Sequence, residues 1–299
     1  MPPNLPLTIP PEIRSRLKRL SLRSRRDMGD HGFGMHASRN KGSGIEFAQY
    51  RAYEPGDEPR RIDWKLFARS DRFFVREAEE ESPIAVWILI DASASMTQAD
   101  RTRPDYARLD AAKLLALCTA QLALMQGDRF GWMALREGTL AVADPHRGRA
   151  QFERMQIDLS RLEGAGAFPD AATLAPLWER IGANDLVLFL SDCFDEGGLA
   201  LIERLAKAGR EVLAVQMLTV EERDFPFDGG YRFIDPESGA DLIGDGKALR
   251  ADFLARFAAA RAALDERLDA AGIRHTLYVI DEPIDRPLHV FFGRGTIPA

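Results

Sequence analysis

Cysteine is almost absent from this chain. Two in 299 residues, Cys118 and Cys193, make no disulfide framework and no paired metal-ligand spacing. Cys118 falls in a helical pattern, where a small core residue is expected. Cys193 follows Asp192 at an expected strand end, where a redox role would need an electropositive, accessible setting. Histidine is scarce as well. The five, His31, His36, His146, His275 and His289, show no partnering with a nucleophile, and Ser93 and Ser95 lie in no G-x-S-x-G context, so a Ser-His-Asp hydrolase is unsupported. No G-x-x-x-x-G-K-[ST] loop occurs, so ATP hydrolysis is not expected of this chain. No apolar run approaches the roughly 18 residues needed to span a bilayer. The opening stretch "MPPNLPLTIPPEIRSRLKRLSLRSRRDM" has no apolar h-region of a signal peptide, and the cytoplasm is the expected compartment. Excess positive charge is lacking too. The net charge is -6, and the run Glu77, Glu79, Glu80, Glu81 argues further against nucleic acid as a partner.

What is present is an ordinary globular composition, 45% apolar and 29% charged, with enough apolar material for a real core. Residues 1–30 read as a basic N-terminal arm. Ile13, Leu17 and Leu20 recur there at helical spacing among Arg14, Arg16, Lys18 and Arg19, which predicts a short amphipathic helix, either docked with a solvated basic face or binding a membrane or a partner. Residues 31–82 are glycine-rich, then densely charged with interleaved aromatics, and short strands and turns are expected at "FVREAE", Pro55-Gly56-Asp57 and Ser70-Asp71. Gly32 and Gly34 follow no expected strand and open no helix, so they make a weak phosphate loop. From residue 83 to 285 the pattern alternates β and α. Strands are expected at 84–90, on both sides of Glu137-Gly138, at 186–191, at "EVLAVQML" and at "RHTLYVI". Helices are expected at 106–126, 148–162, 171–182, 198–208 and 248–271, and residues 286–299 are taken as a C-terminal tail. Such alternation predicts an α/β fold, a doubly wound, mostly parallel sheet, whose ligands sit beyond the carboxyl ends of the strands.

Two of those strand ends are rich in oxygen. "PIAVWILI" runs into "DASASM", delivering Asp91, Ser93 and Ser95, and "DLVLFLSD" delivers Ser191 and Asp192. One carboxylate and two hydroxyls at alternate positions can aim at one point. With Asp192 they form a hard-oxygen set suited to Mg2+ or Mn2+, and the few formal charges leave the ion electrophilic toward an incoming acidic group. The alternative is that these side chains only cap a helix or satisfy a turn. A phosphoryl-transfer enzyme using Asp91 as nucleophile is the other class. It would need a second aspartate two residues on for acid–base work, and Ser93 stands there.

"DASASM" after a buried strand resembles the D-x-S-x-S motif of von Willebrand factor A domains, their metal-ion-dependent adhesion site, and "LVLFLSD" resembles the strand that ends in that site's distal aspartate. The resemblance implies a threonine ligand from the intervening loop. Here that loop is "EGAGAFPDAATLAPL", the expected position falls near Ala171, and the nearest threonine is Thr173. The segment "GSGIEFAQYRAYEPGDEPRRIDWKLFARSDRFFVREAEEE" closely resembles the hallmark of the DUF58 family. The matching positions include Arg51, Asp57, Arg60, Asp63, Trp64, Arg69 and Glu77. The resemblance covers about residues 30 to 285. It implies an adaptor associated with a MoxR-type AAA+ ATPase in protein maturation or complex assembly. The arginines, carboxylates and aromatics of the hallmark can build a hydrogen-bonded network. Either it fastens residues 31–82 to the A-like domain, or it serves a partner.

Overall fold

The computed structural model describes residues 7–22, 47–53, 62–78, 85–234 and 241–293. Contacts divide the chain into two units, His31–Pro83 and a larger one made of Met1–Asp30 with Ile84–Ala299. The larger unit opens with α1 (Pro11–Leu17). Ile13 and Leu17 are buried in the main apolar cluster, as is Leu20 just beyond the helix, so this segment docks by its apolar face. Arg16 reaches the buried carboxylate of Asp285 at 2.7 Å.

The smaller unit consists of β1 (Phe47–Ala52), α2 (Trp64–Ser70) and β2 (Phe74–Ala78). The two strands pair antiparallel, Ala52 opposite Phe74 and Arg51 opposite Val75. Helix α2 starts where it does because the Asp63 carboxylate accepts hydrogen bonds from the amides of Lys65 and Leu66, at 2.9 and 3.0 Å, satisfying two donors that have no partner within the helix. It stops at Asp71, whose φ of 54° is left-handed. Phe67 stacks on Phe73 at 4.4 Å, and Trp64 meets both rings edge-on.

The rest of the larger unit runs β3 (Ala85–Asp91), a 3-10 turn at Ser95–Thr97, α3 (Arg108–Gln126), β4 (Arg129–Arg136), β5 (Thr139–His146), α4 (Arg149–Ser160), α5 (Leu177–Arg180), β6 (Leu186–Ser191), α6 (Glu196–Lys207), β7 (Glu211–Leu218), α7 (Val220–Asp224), β8 (Gly230–Ile234), β9 (Asp241–Asp245), α8 (Gly246–Ala270), β10 (Arg274–Val279) and α9 (Arg286–Phe292). The main sheet has six strands in the order β10-β7-β6-β3-β4-β5. All neighbours are parallel except β4 and β5, a hairpin. Every residue of β3 is buried, and its two faces feed different cores. Val86, Ile88 and Ile90 pack with α1, α3, α4 and α9, whereas Trp87 and Leu89 pack with α6 and the end of α8. A strand covered on both sides carries an unbroken apolar run, because neither face meets water. The expected doubly wound, mostly parallel sheet is the one observed.

Two expectations need correction, and one element is new. The helix expected over 171–182 is a series of turns through Pro176, and only Leu177–Arg180 is helical. Proline disfavours a helical conformation in the residue before it and cannot donate to the helix ladder. Residues 286–292, assigned to a tail, form α9, which buries Leu288, Phe291 and Phe292 in the main core. A two-stranded hairpin, β8 with β9, was not foreseen. It sits between α7 and α8, where Gly246 donates to the carbonyl of Gly229 at 2.8 Å. A β-carbon on Gly246 would stand 2.7 Å from the Phe227 carbonyl oxygen, so only glycine fits this close approach. Among the described residues no helix is long and apolar enough to cross a membrane.

Candidate functional site

Strands β3 and β6 lie side by side in the centre of the sheet, Ile90 opposite Leu190, and the chain leaves them toward opposite edges. That is the topological switch point, where parallel sheets open a crevice at their carboxyl ends. Asp91 ends β3, and its carboxylate ties the two strand ends together. One oxygen accepts from the Ser93 amide at 3.0 Å and the other from the Ser191 hydroxyl at 2.7 Å. Ser191 Oγ in turn accepts from the Cys193 amide at 2.9 Å. Ser93 Oγ and Ser95 Oγ lie 3.0 Å apart. The structure thus brings Asp91, Ser93 and Ser95 together at one corner, with Asp192 following Ser191. Asp91, Ser93 and Asp192 are buried.

The loop 163–167 lies against this corner. Ala94 donates to the carbonyl of Gly166 at 2.7 Å, and Ala165 donates to that of Ala92 at 3.0 Å. A β-carbon on Gly164 would come within 3.0 Å of the Ser93 carbonyl. Thr173, expected as a further ligand, is engaged elsewhere. Its amide donates to Asp170 at 2.8 Å, and its hydroxyl bonds the same carboxylate, two contacts that hold Asp170 below the usual carboxylate range.

Burial, with the charge of Asp192 adding to it, raises the Asp91 pKa from 3.8 to about 6. Asp192 is less completely bonded. Its Oδ1 accepts from the Phe194 amide at 3.1 Å, but the buried Oδ2 has no hydrogen bond among the described residues. The nearest cation to Oδ2 is Arg108, at 3.5 Å, and sequence reasoning missed it. Arg108 is 1% exposed. It donates to Glu222 at 2.8 Å and to the carbonyl of Ser95, while its Nε has no hydrogen bond. A cation in the first turn of a helix opposes the helix dipole. An arginine opening the apolar helix α3 was therefore the available signal of a specific partner. Glu222 was missed too. It forms a capping box with Thr219, and burial raises its pKa against the opposing pull of Arg108.

Both cysteines are buried. Burial pushes Cys118 up to about 12 and lifts Cys193 well above its ordinary value. Among the described residues no three His, Cys, Asp or Glu side chains cluster as a metal site. A cation at the sheet edge would therefore draw on two carboxylates supplemented by serine hydroxyls. Such a mixed oxygen set fits Mg2+ or Mn2+. It is also consistent with Asp192 Oδ2, a buried oxygen that lacks a hydrogen-bonded partner. In the hallmark segment, Asp63 is the cap of α2, Trp64 belongs to its ring cluster and Arg69 lies in its last turn. Arg51 and Glu77 occupy β1 and β2, and Asp57 and Arg60 lie outside the described residues.

A crevice of about 560 Å³ opens beside the site, lined by Ser95, Arg108 and Asp192 and also by Phe225, Phe227, Phe233 and Phe253.

Numbered in chain order, the six strands read 3-2-1-4-5-6 across the sheet, and strand 1 ends in D-x-S-x-S, which defines a domain of von Willebrand factor A type. The chain belongs to the DUF58 family: the profile described as "Protein of unknown function DUF58" matches residues 49–263. An uncharacterized protein of Mycobacterium tuberculosis is 26% identical over 265 residues, covering 87% of this chain and 81% of its own. Among solved structures, BatB from Bacteroides thetaiotaomicron is similar at 13% identity, covering 63% of this chain and 98% of its own with a TM-score of 0.37. The VWA domain of SpRpn10 is similar at 16% identity, covering 69% and 93% with a TM-score of 0.39. At such distance these two add nothing to the fold assignment, which stands on the strand order, the antiparallel β4–β5 edge and the D-x-S-x-S strand end.

Proposed function

We propose that this protein is a non-catalytic interaction module in which Asp91, Ser93, Ser95 and Asp192 hold one Mg2+ or Mn2+ ion and a partner's carboxylate completes the site. The fold and family support an interaction role. The observation that carries the metal reading is Asp192 Oδ2, a buried carboxylate oxygen without a hydrogen bond beside the buried carboxylate of Asp91. Arg108 bonds Glu222, and Arg101 bonds Glu221, each at 2.8 Å. Asp91 and Asp192 meet at the corner, and one divalent ion would offset their two charges. Bound there, the ion would supply an electrophilic position open to a carboxylate. The family resemblance points to a MoxR-type AAA+ ATPase as the partner, with ATP hydrolysis supplied in trans because this chain carries no phosphate-binding loop.

The test is capture of the purified cognate ATPase by wild type, Asp91→Asn and Asp91→Ala, in magnesium and in chelator, with circular dichroism to verify the fold of each variant. Binding that requires both the ion and Asp91 is expected. Binding indifferent to both would move the interface elsewhere. Phosphatase turnover by the purified protein, abolished in Asp91→Asn, would replace the adaptor reading with a magnesium-dependent phosphoryl-transfer enzyme. One observation weighs against that enzyme: Ser93 stands where the second acid is needed.

A further inference from the structure

The crevice beside the site has two chemically different parts. One is polar and holds Ser95, Asp192 and Arg108; the other is aromatic. Phe225 stacks on Phe253 at 4.3 Å and meets Phe227 edge-on at 4.9 Å, and Phe227 meets Phe233 at 5.1 Å. These rings come from the loop after α7, from β8 and from α8, within the stretch inserted between β7 and β10. They brace one another, so the aromatic part is preformed, and an apolar side chain entering it would lose little of its gain to ordering the protein. Two large apolar side chains of the same crevice stay open to solvent, Phe194 at 54% and Ile234 at 57%. Phe194 is the residue whose amide bonds Asp192 and whose ring lies 5.7 Å from the Arg108 guanidinium, so it joins the two parts.

We propose that this crevice recognises a partner segment carrying an acidic residue close to a large apolar or aromatic one, the carboxylate meeting the ion at Asp91 and Asp192 and the apolar side chain settling among Phe225, Phe227 and Phe233. This deepens the adaptor reading and rests on it. The occupant's chemistry follows from continuity. The aromatic part shares one cavity with the metal site, so the segment whose carboxylate completes the ion must pass the exposed Phe194 and Ile234. A basic segment would enter with no ion bound and would face Asp192, which the Arg108 guanidinium already approaches at 3.5 Å.

The experiment uses fluorescein-labelled peptides that place Asp and Phe one to four residues apart, in both orders, in an otherwise Ala-Ser background. Companion peptides carry Asn for Asp, Ala for Phe, or Lys for Asp. Anisotropy is read in magnesium and in chelator with wild type, Asp91→Asn, Phe194→Ser and Ile234→Ser; the last two change exposed positions. The expected result is an Asp-Phe peptide that binds in magnesium, weakens about tenfold or more when Phe becomes Ala, and loses that advantage on Phe194→Ser or Ile234→Ser. Binding that needs Asp and magnesium but ignores Phe overturns the aromatic recognition and leaves the adaptor reading standing. Tighter binding of the Lys peptide in chelator, or no binding by any Asp-Phe peptide, overturns the proposal, and binding indifferent to both Asp and magnesium overturns the adaptor reading with it.

Discussion

Asp91 inverts the usual behaviour of a carboxylate in a folded protein. Burial and Asp192 raise its pKa from 3.8 to about 6, so the ion-free fold binds its proton more tightly than the unfolded chain does, although the carboxylate is ionised at neutral pH. The stabilisation from that preference is complete below pH 3.8 and is lost as pH rises through about 6. At about 1.4 kcal/mol for each pKa unit, the loss comes to about 3 kcal/mol. In chelator, urea unfolding of wild type should therefore lose about 2 kcal/mol relative to Asp91→Asn between pH 4 and pH 7. A difference that stays flat with pH would show that the fold does not raise this pKa. Saturating magnesium should erase the slope, because the ion binds the ionised carboxylate and competes with the proton. Asp91, Ser93, Ser95 and Asp192 were legible in the sequence because they follow continuous apolar runs. Arg108 and Glu222 were not. Their bond joins positions 114 apart in the chain, and nothing local in either stretch names the other.

At the scale of elements, what could be read depended on length and on proline. Strands β3 and β6 are unbroken apolar runs buried along their whole length, and α3 is a 19-residue helix closed by Gly127 at a φ of 78°. Hairpin β8–β9 escaped notice because each strand has only five residues, and the exposure of β8 alternates without one fully buried position. Helix α9 carried a readable signal in Leu288, Phe291 and Phe292, spaced three and four apart, but a single turn or two of helix is stabilised by packing rather than by its own sequence. Helix α2 depends on its cap. Replacing a capping aspartate by alanine costs about 1 kcal/mol, so Asp63→Ala should speed amide exchange at Phe67–Ser70 by about fivefold, while Asp63→Asn, which still caps, should leave it nearly unchanged. Exchange unaffected in the alanine variant would mean that other contacts hold α2 and that the cap contributes little.

For the whole molecule, the consequence of an ion at the sheet edge is thermal. The site joins β3 to β6 at the middle of the central sheet through the Ser191–Asp91 bond, and both strands carry the two apolar cores on their faces. An ion that binds only when these strand ends are in register stabilises the entire larger unit, since unfolding either core separates its ligands. A ligand at about 100 times its dissociation constant adds about 2.7 kcal/mol. For a unit of this size each kcal/mol moves the midpoint by about 2–4 °C, which gives a rise of about 5–10 °C in magnesium over chelator. The loop 163–167 meets the corner with glycine and alanine, and Thr173 is occupied by Asp170, so the threonine ligand that the A-domain resemblance implies is not supplied from there. A lower affinity follows, and millimolar rather than micromolar magnesium should be needed to reach the full rise. Calorimetry across a magnesium titration, with Asp91→Asn alongside, reads both the size of the shift and the concentration at which it saturates. The variant should show no shift. Equal shifts in the two proteins would assign the stabilisation to ions bound elsewhere and remove the ion from Asp91.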